Sequence, residues 1–476
     1  MREYLKFYID GQWVAPVDPG TVVEAINPAT EEVSGRIALG SVADVDRAVA
    51  AARRAFATWS QTTREARLEV LERILAEYQK RVGDLAAAIT EEMGAPKGLA
   101  NGFQVGLGTG HLPTAIEVLK NFRFEEQRGA TRIVKEPIGV CGMITPWNWP
   151  VNQVTVKVFP ALATGCTMVV KPSQESHFSA CVLAEILDAA GVPAGVFNLV
   201  QGRGSVVGAA MASHPGIDMI SITGSESAGI EVARSAASTV KRVCQELGGK
   251  SANIILDDAG FAANVARGVT GMMGNSGQTC SATSRMLVPA SRMDEAIDVA
   301  REAAASVTVG DPNGDFAMGP VVSKAQYASI QGYIQKGIEE GATLAAGGPG
   351  RPEGLTKGFY VKPTVFADVT NDMTIAREEI FGPVLVIIGY DDVEHAIAIA
   401  NDSDFGLAGN VAGADLEQAR AVARRIRAGW VSINDGFDFN APFGGYKKSG
   451  NGREWGEFGF HEYLEIKGIL GYSPAG

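Results

Sequence analysis

The sequence predicts an α/β protein with two parallel-sheet domains, and three observations carry that reading. Between Gly139 and Gly202, short apolar runs (VCGMIT, TMVVK, VFNLV) alternate with a helix-like stretch from Phe178 to Ala190, the pattern of βαβ units. After Glu246 a second series of the same kind follows, with SANIIL, SRMLVP, PVLVIIGY and GWVSIN as its strand candidates. A chain of 476 residues, 46% hydrophobic and 20% charged, is long enough for two to four units with well-buried cores.

Taken in order, FYIDGQWV alternates apolar and polar positions around Asp10-Gly11, a dipeptide suited to a tight turn, and predicts a small hairpin. INPATEEV predicts a second. From Asp44, apolar residues at 45, 48, 49, 52 and 56 recur at helical spacing behind a cap at Ser41 or Asp44, and Arg64 to Arg81 repeats the pattern. MISIT leads through Gly224-Ser225 into a helical segment from Ser227 to Ala237. In the second series a helix is expected from about Arg292 to Ser306, because Ser291 and Asp294 have capping-box spacing. The tail HEYLEIKGILGY alternates enough to form a strand, whose edge would be free to pair with another subunit.

Composition excludes several function classes. A formal net charge of −12 and no basic run with interleaved aromatics argue against a nucleic-acid partner. No apolar stretch approaches the roughly 18 residues that span a bilayer, and MREYLKFYIDG lacks the apolar core of a signal peptide, so a cytoplasmic location is expected. Five cysteines, at 141, 166, 181, 244 and 280, form no CxxC pair, and five histidines form no HxxxH or HxH pair. Neither a disulfide framework nor a metal site is indicated.

Four segments carry the chemistry: ITPWNWP (144–150), QELGGKS (245–251), GNSGQTCSATSR (274–285) and EEIFGPV (378–384). Together, in this order, they resemble the aldehyde dehydrogenase superfamily, and the resemblance runs from the N-terminal hairpins through PFGGYKKSGNGREWGEFG (442–459). It implies a variant Rossmann-like dinucleotide domain (1–115 and 138–247), an α/β catalytic domain (248–445) and a small β oligomerisation ribbon (116–137 with 446–476). The tail strand would extend a partner's catalytic sheet, giving a homodimer or homotetramer.

The resemblance assigns roles residue by residue. Cys280, flanked by small and polar residues in GQTCS, matches the nucleophile, and a thiolate attacks a carbonyl far better than a hydroxyl does. Glu246 matches the general base that activates the hydrolytic water; followed by Leu-Gly-Gly, its carboxylate is expected to enter a tunnel where desolvation raises its pKa. Asn148 matches the amide that joins the backbone N–H of Cys280 in an oxyanion hole. Four steps are implied: attack on the aldehyde by Cys280, hydride transfer from the thiohemiacetal, water attack assisted by Glu246, and release of the acid.

For the cofactor, NAD, Lys171 matches the lysine that bonds the adenosine ribose, and Gly224 and Ser225 match a helix N-terminus facing the pyrophosphate, in place of a GxGxxG loop. Glu379 and Phe381 match the residues around the nicotinamide ribose and ring. Ile144, Thr145, Pro146, Trp147, Ser173 and Leu247 complete the expected cofactor set. Gln174 stands where strongly NAD-preferring relatives carry a glutamate that repels a 2′-phosphate, so NADP is expected to be accepted as well. Trp149, Gln153, Val156, Thr279, Ser281 and Phe437 occupy family positions around the substrate tunnel, and the small Val156 predicts a wider mouth unless a neighbour refills that space. Two rival readings stay open: a semialdehyde dehydrogenase that releases acyl-CoA, whose branch lacks the base at Glu246, and a catalytically silent structural relative.

Overall fold

A computed structural model describes residues 1–18 and 21–473. Its first large sheet has eight strands, with Arg242–Glu246, Met219–Thr223, Val140–Ile144, Thr167–Lys171 and Phe197–Leu199 parallel and side by side. Counted along the chain, the order of these five is 5-4-1-2-3. The chain therefore reverses its direction of travel between Val140–Ile144 and Met219–Thr223, which opens a crevice beyond the carboxyl ends of those strands.

Alternation along each strand explains the layers. Cys141, Met143, Met168 and Val170 enter one apolar core with helices Arg64–Lys80, Val105–Asn121, Pro150–Thr164 and Phe178–Ala189. Val140, Ile144 and Val169 enter the opposite core with helix Val42–Trp59. Both faces are covered, as the continuous apolar runs require. Ser41 takes the cap position of the two candidates and forms a capping box with Asp44, and the predicted hairpins pair Phe7–Ile9 with Gln12–Val14 and Val22–Asn27 with Glu32–Ala38.

The second large sheet has seven strands in the order 343–346, 364–367, 384–390, 285–289, 252–255, 408–412, 430–433, all parallel except the first. A three-stranded antiparallel ribbon joins Leu464–Ile469 to Thr131–Pro137 and Glu125–Arg128.

Three expectations differ from the structure. Helix Val105–Asn121 runs straight through the boundary expected at 115, because Leu112, Ala115, Ile116 and Leu119 continue one buried stripe. The segment from 446 is not ribbon alone: Tyr446–Lys447 pairs with Phe405–Gly406, Gly450–Asn451 pairs with Gln245 and Glu246 on the first sheet, and helix Gly456–Glu462 packs on helix Pro150–Thr164. Ser291 does not cap helix Met293–Ser306; it lies in a preceding 3₁₀ turn, and Arg292 occupies the cap position, paired with Asp257 and Glu295.

Candidate active site

The crevice beyond the strand ends is a cleft of about 610 Å³. Ile144, Lys171 and Thr223 end their strands on it, and the loops that follow supply Thr145, Pro146, Trp147, Asn148, Ser173, Gln174 and Gly224. Ser225 caps the eleven-residue helix Glu226–Ala236, its side chain accepting from the backbone N–H of Ala228 at 3.3 Å. Leu247 and Cys280 line the same cleft, as do Glu379 and Phe381 from the second domain. All twelve expected cofactor residues therefore share one cavity.

Lys171 is buried, its Nζ donates to the carbonyls of Pro172 (2.7 Å) and Gly202 (3.2 Å), and burial brings its pKa down to about 8. Thr145 and Thr223 keep buried hydroxyls with no partner, a donor set ready for a polar ligand. Phe381 adopts φ 56°, a left-handed conformation uncommon for a bulky residue. Gln326 holds it there by donating to its carbonyl at 2.9 Å, and its ring meets Trp147 edge-on at 5.3 Å.

The Leu-Gly-Gly sequence after Glu246 has a steric cause. A Cβ on Gly248 would lie 2.2 Å from the Glu379 carboxylate, and one on Gly249 would lie 2.6 Å from the carbonyl oxygen of Cys280. Only glycines let this backbone pass between the two groups. Glu379 accepts from the Gly249 N–H at 3.0 Å, and burial raises its carboxyl to about 7.

Cys280 is half-buried at the cleft, whereas Cys141, Cys166, Cys181 and Cys244 are fully buried. Burial, reinforced by the charges of Glu379 and Glu246, pushes its thiol up to about 12, and the Ser281 backbone N–H opposes that shift. Asn148 is 2% exposed, and its Nδ2 donates to the Gln278 carbonyl at 3.0 Å. Two amides that sequence reading did not single out hold this loop. Gln104 donates to the Asn148 carbonyl (3.1 Å) and to Asn275 Oδ1 (3.1 Å), while Asn275 donates to the carbonyls of Asn148 (2.9 Å) and Gln278 (3.2 Å). Asn275 and Ser276 sit at φ 52° and 55°, so the turn that delivers Cys280 is itself strained.

Glu246 lies at the end of its strand, 3% exposed, with both carboxylate oxygens unpartnered. Desolvation first, and the charge of Glu454 second, raise its pKa well above the ordinary carboxylate value. Glu454 pairs with Lys157, which is fully buried and also donates to Ser221 at 3.0 Å. Glu454 falls in the segment 442–459, but its pairing with Lys157 was not legible, because 297 positions of sequence separate them.

The expected tunnel residues divide. Trp149 donates from Nε1 to Thr279 Oγ1 at 3.1 Å, and its ring meets Phe103, which meets Phe437 in turn. Gln153 is buried within its helix. Val156 is 3% exposed and buried in one cluster with Leu407, Phe443 and Trp455, so a neighbour-filled wall rather than an open mouth surrounds its small side chain.

The profile of the aldehyde dehydrogenase family matches residues 13–469. This chain belongs to the aldehyde dehydrogenase family. It is 55% identical over 475 residues to a 3-succinoylsemialdehyde-pyridine dehydrogenase of a Pseudomonas species, with 99% of each chain covered. A cysteine-to-alanine mutant of aldehyde dehydrogenase C from Pseudomonas syringae, solved with NAD+ and octanal, is 54% identical with a TM-score of 0.98, covering 99% of this chain and 97% of its own. An aldehyde dehydrogenase from Mycobacterium tuberculosis, solved with NAD+, is 42% identical with a TM-score of 0.96, covering 100% and 99%. Within this aldehyde dehydrogenase, Arg203 and Gln326 join the cleft lining without having been expected there. Helices Arg203's loop leads into are irregular, which hid its position from periodicity.

Proposed function

We propose that this aldehyde dehydrogenase oxidises aldehydes with an apolar tail to carboxylic acids, through a covalent adduct on Cys280 and with NAD as cofactor. The observation that carries the reading is the grouping of a cleft-lining thiol with the buried Asn148 amide. Attack on the carbonyl carbon by the Cys280 thiolate, its proton given up to solvent, would build negative charge on the carbonyl oxygen, to which the Asn148 amide and the Cys280 backbone N–H would donate. When bound, NAD supplies the hydride acceptor for that adduct. Loss of hydride leaves a thioester on Cys280, which water attacks while Glu246 takes its proton. A raised pKa makes Glu246 the stronger proton acceptor once ionised.

The cleft suits the dinucleotide in three respects: a helix N-terminus at Ser225, a buried cation at Lys171, and unpaired hydroxyls at Thr145 and Thr223. Gln174 is exposed on the cleft and carries no charge, which supports use of NADP beside NAD; Glu175 lines an adjoining pocket of about 190 Å³ whose wall Gln174 and Arg203 share with the cleft. The apolar tail is supported by Phe103, Trp149, Trp430 and Phe437, which bring no charged group to the tunnel. Octanal in the Pseudomonas syringae structure and the pyridine ring in the other relative's name point the same way.

Apart from the ribbon strands at 125–137, residues 1–247 would act as the dinucleotide domain and 248–445 as the catalytic domain, and the ribbon would join a second copy. Ile466 (70% exposed) and Leu470 (84% exposed) leave apolar surface on the tail that such a partner could cover. No described helix is long and apolar enough to cross a membrane, and a cytoplasmic enzyme is the reading that fits.

A turnover panel of aliphatic, aromatic, terpenoid and ω-carboxylated aldehydes, read by cofactor reduction, tests the substrate class. Octanal and aromatic aldehydes are expected to lead. A lead for the ω-carboxylated set would overturn the apolar reading, and turnover that requires coenzyme A would overturn hydrolysis.

A further inference from the structure

We propose that Trp455 is a specificity-determining residue: an indole plug, complementary to the small Val156, that closes the wall of the acyl pocket beside Cys280. The inference rests on the apolar-tail reading above. Trp455 stands at φ 72° and ψ 149°, a backbone region essentially reserved for glycine. A bulky residue persists there only when its surroundings over-determine it, and the surroundings do. Its ring lies 5.2 Å from Phe443 and 5.8 Å from Phe439, both stacked, and 5.4 Å from Trp430 and from Phe437. His111 meets it at 5.0 Å, and burial lowers that imidazole to about 4, so a neutral ring packs there.

The indole belongs to one buried cluster with Val156, Leu407 and Phe443, against which Cys280 and Trp430 pack. It also lines a small void of about 20 Å³ with His111, Val156, Pro160 and Phe460. The strained backbone lets neighbouring side chains diverge, Glu454 toward Lys157 and Trp455 into the aromatic cluster. Removing the indole would enlarge this void toward Cys280, which packs on the same cluster, making room for a bulky group close to the reacting carbonyl.

The test compares kcat/KM for 2-naphthaldehyde and octanal in wild type, Trp455→Phe, Trp455→Leu and the exchanged pair Val156→Trp with Trp455→Leu. The naphthaldehyde-to-octanal ratio is expected to rise about tenfold in Trp455→Leu, the order that differences in pocket volume produce. Trp455→Phe should fall between, and it decides the matter if the leucine variant does not fold. The exchanged pair should return the ratio to within about threefold of wild type, a rescue that a merely structural role for Trp455 does not predict. Equal losses for both aldehydes, or a shifted ratio that the exchange leaves in place, would overturn the proposal while leaving the substrate class intact. A wild type that prefers ω-carboxylated aldehydes to both probes would overturn both readings together.

Discussion

Replacing Asn148 by alanine separates an oxyanion donor from a loop anchor. In the folded protein the Asn148 amide gives one of its two N–H groups to the Gln278 carbonyl at 3.0 Å, and that carbonyl keeps a second donor, Asn275 Nδ2 at 3.2 Å. The bonds made to the Asn148 backbone carbonyl by Gln104 and Asn275 do not involve its side chain at all. Truncation therefore leaves no buried acceptor unsatisfied, and the stability loss should stay near 1 kcal/mol, a melting shift of about 2 °C or less in a chain this large. Loss of a donor aimed at developing oxyanion charge costs about 3 kcal/mol, or roughly a hundredfold in the acylation step. Single-turnover cofactor reduction with octanal, beside a thermal melt, measures both quantities. A burst rate within tenfold of wild type, with melting lowered by more than about 5 °C, would refute the oxyanion role. Gln104→Leu should show the opposite signature, since it leaves the buried Asn275 Oδ1 without a donor while touching no reacting atom.

Three further expectations follow from the same geometry. Glu246→Gln should keep a rapid burst of reduced cofactor and slow the steady state, because only water attack needs the carboxylate; a missing burst would move Glu246 to an earlier step. Glu454→Gln removes a negative charge that raises Glu246 and leaves Lys157 unneutralised, so Glu246 should ionise more readily and the rising limb of kcat against pH should move to lower pH. A limb that stays in place or moves upward would show that the two groups are not coupled. Gln174→Glu should lower kcat/KM for NADP relative to NAD by at least tenfold, since like charges about 4 Å apart near a surface repel by about 4 kcal/mol before screening; wild type already as selective as the variant would remove Gln174 from cofactor choice.

What was legible in the sequence and what was not divide along sequence distance. Asp10-Gly11, the capping pair Ser41 and Asp44, and the apolar runs at 140–145 and 167–171 act through neighbours a few residues away, so hairpin, helix and parallel sheet could be read directly. The segments that hold Cys280, Glu246 and Asn148 pointed to the family because they carry its signature. The amides of Gln104 and Asn275 work across 171 positions, and their residue types are unremarkable in isolation. Val156 misled for a related reason: a small side chain implies space only when nothing distant fills it, and Trp455 does. At Ser291 the spacing suited a capping box, but a 3₁₀ turn over 290–292 takes up Ser291 and leaves Arg292, paired with Asp257 and Glu295, at the cap position.

The edge strand Gly450–Asn451 has a consequence for how the chain is made. It seals the Arg242–Glu246 side of the first sheet, and the opposite side is sealed by the hairpin at 7–14. A ribosome delivers these two seals at opposite ends of synthesis. Until residue 451 has left the exit tunnel, the nascent dinucleotide sheet carries an open edge at the strand that bears Glu246, and an open edge recruits other strands. Arrested chains released at residue 445 should therefore bind a holdase chaperone more persistently than chains released at 470, although both contain every residue that lines the cleft.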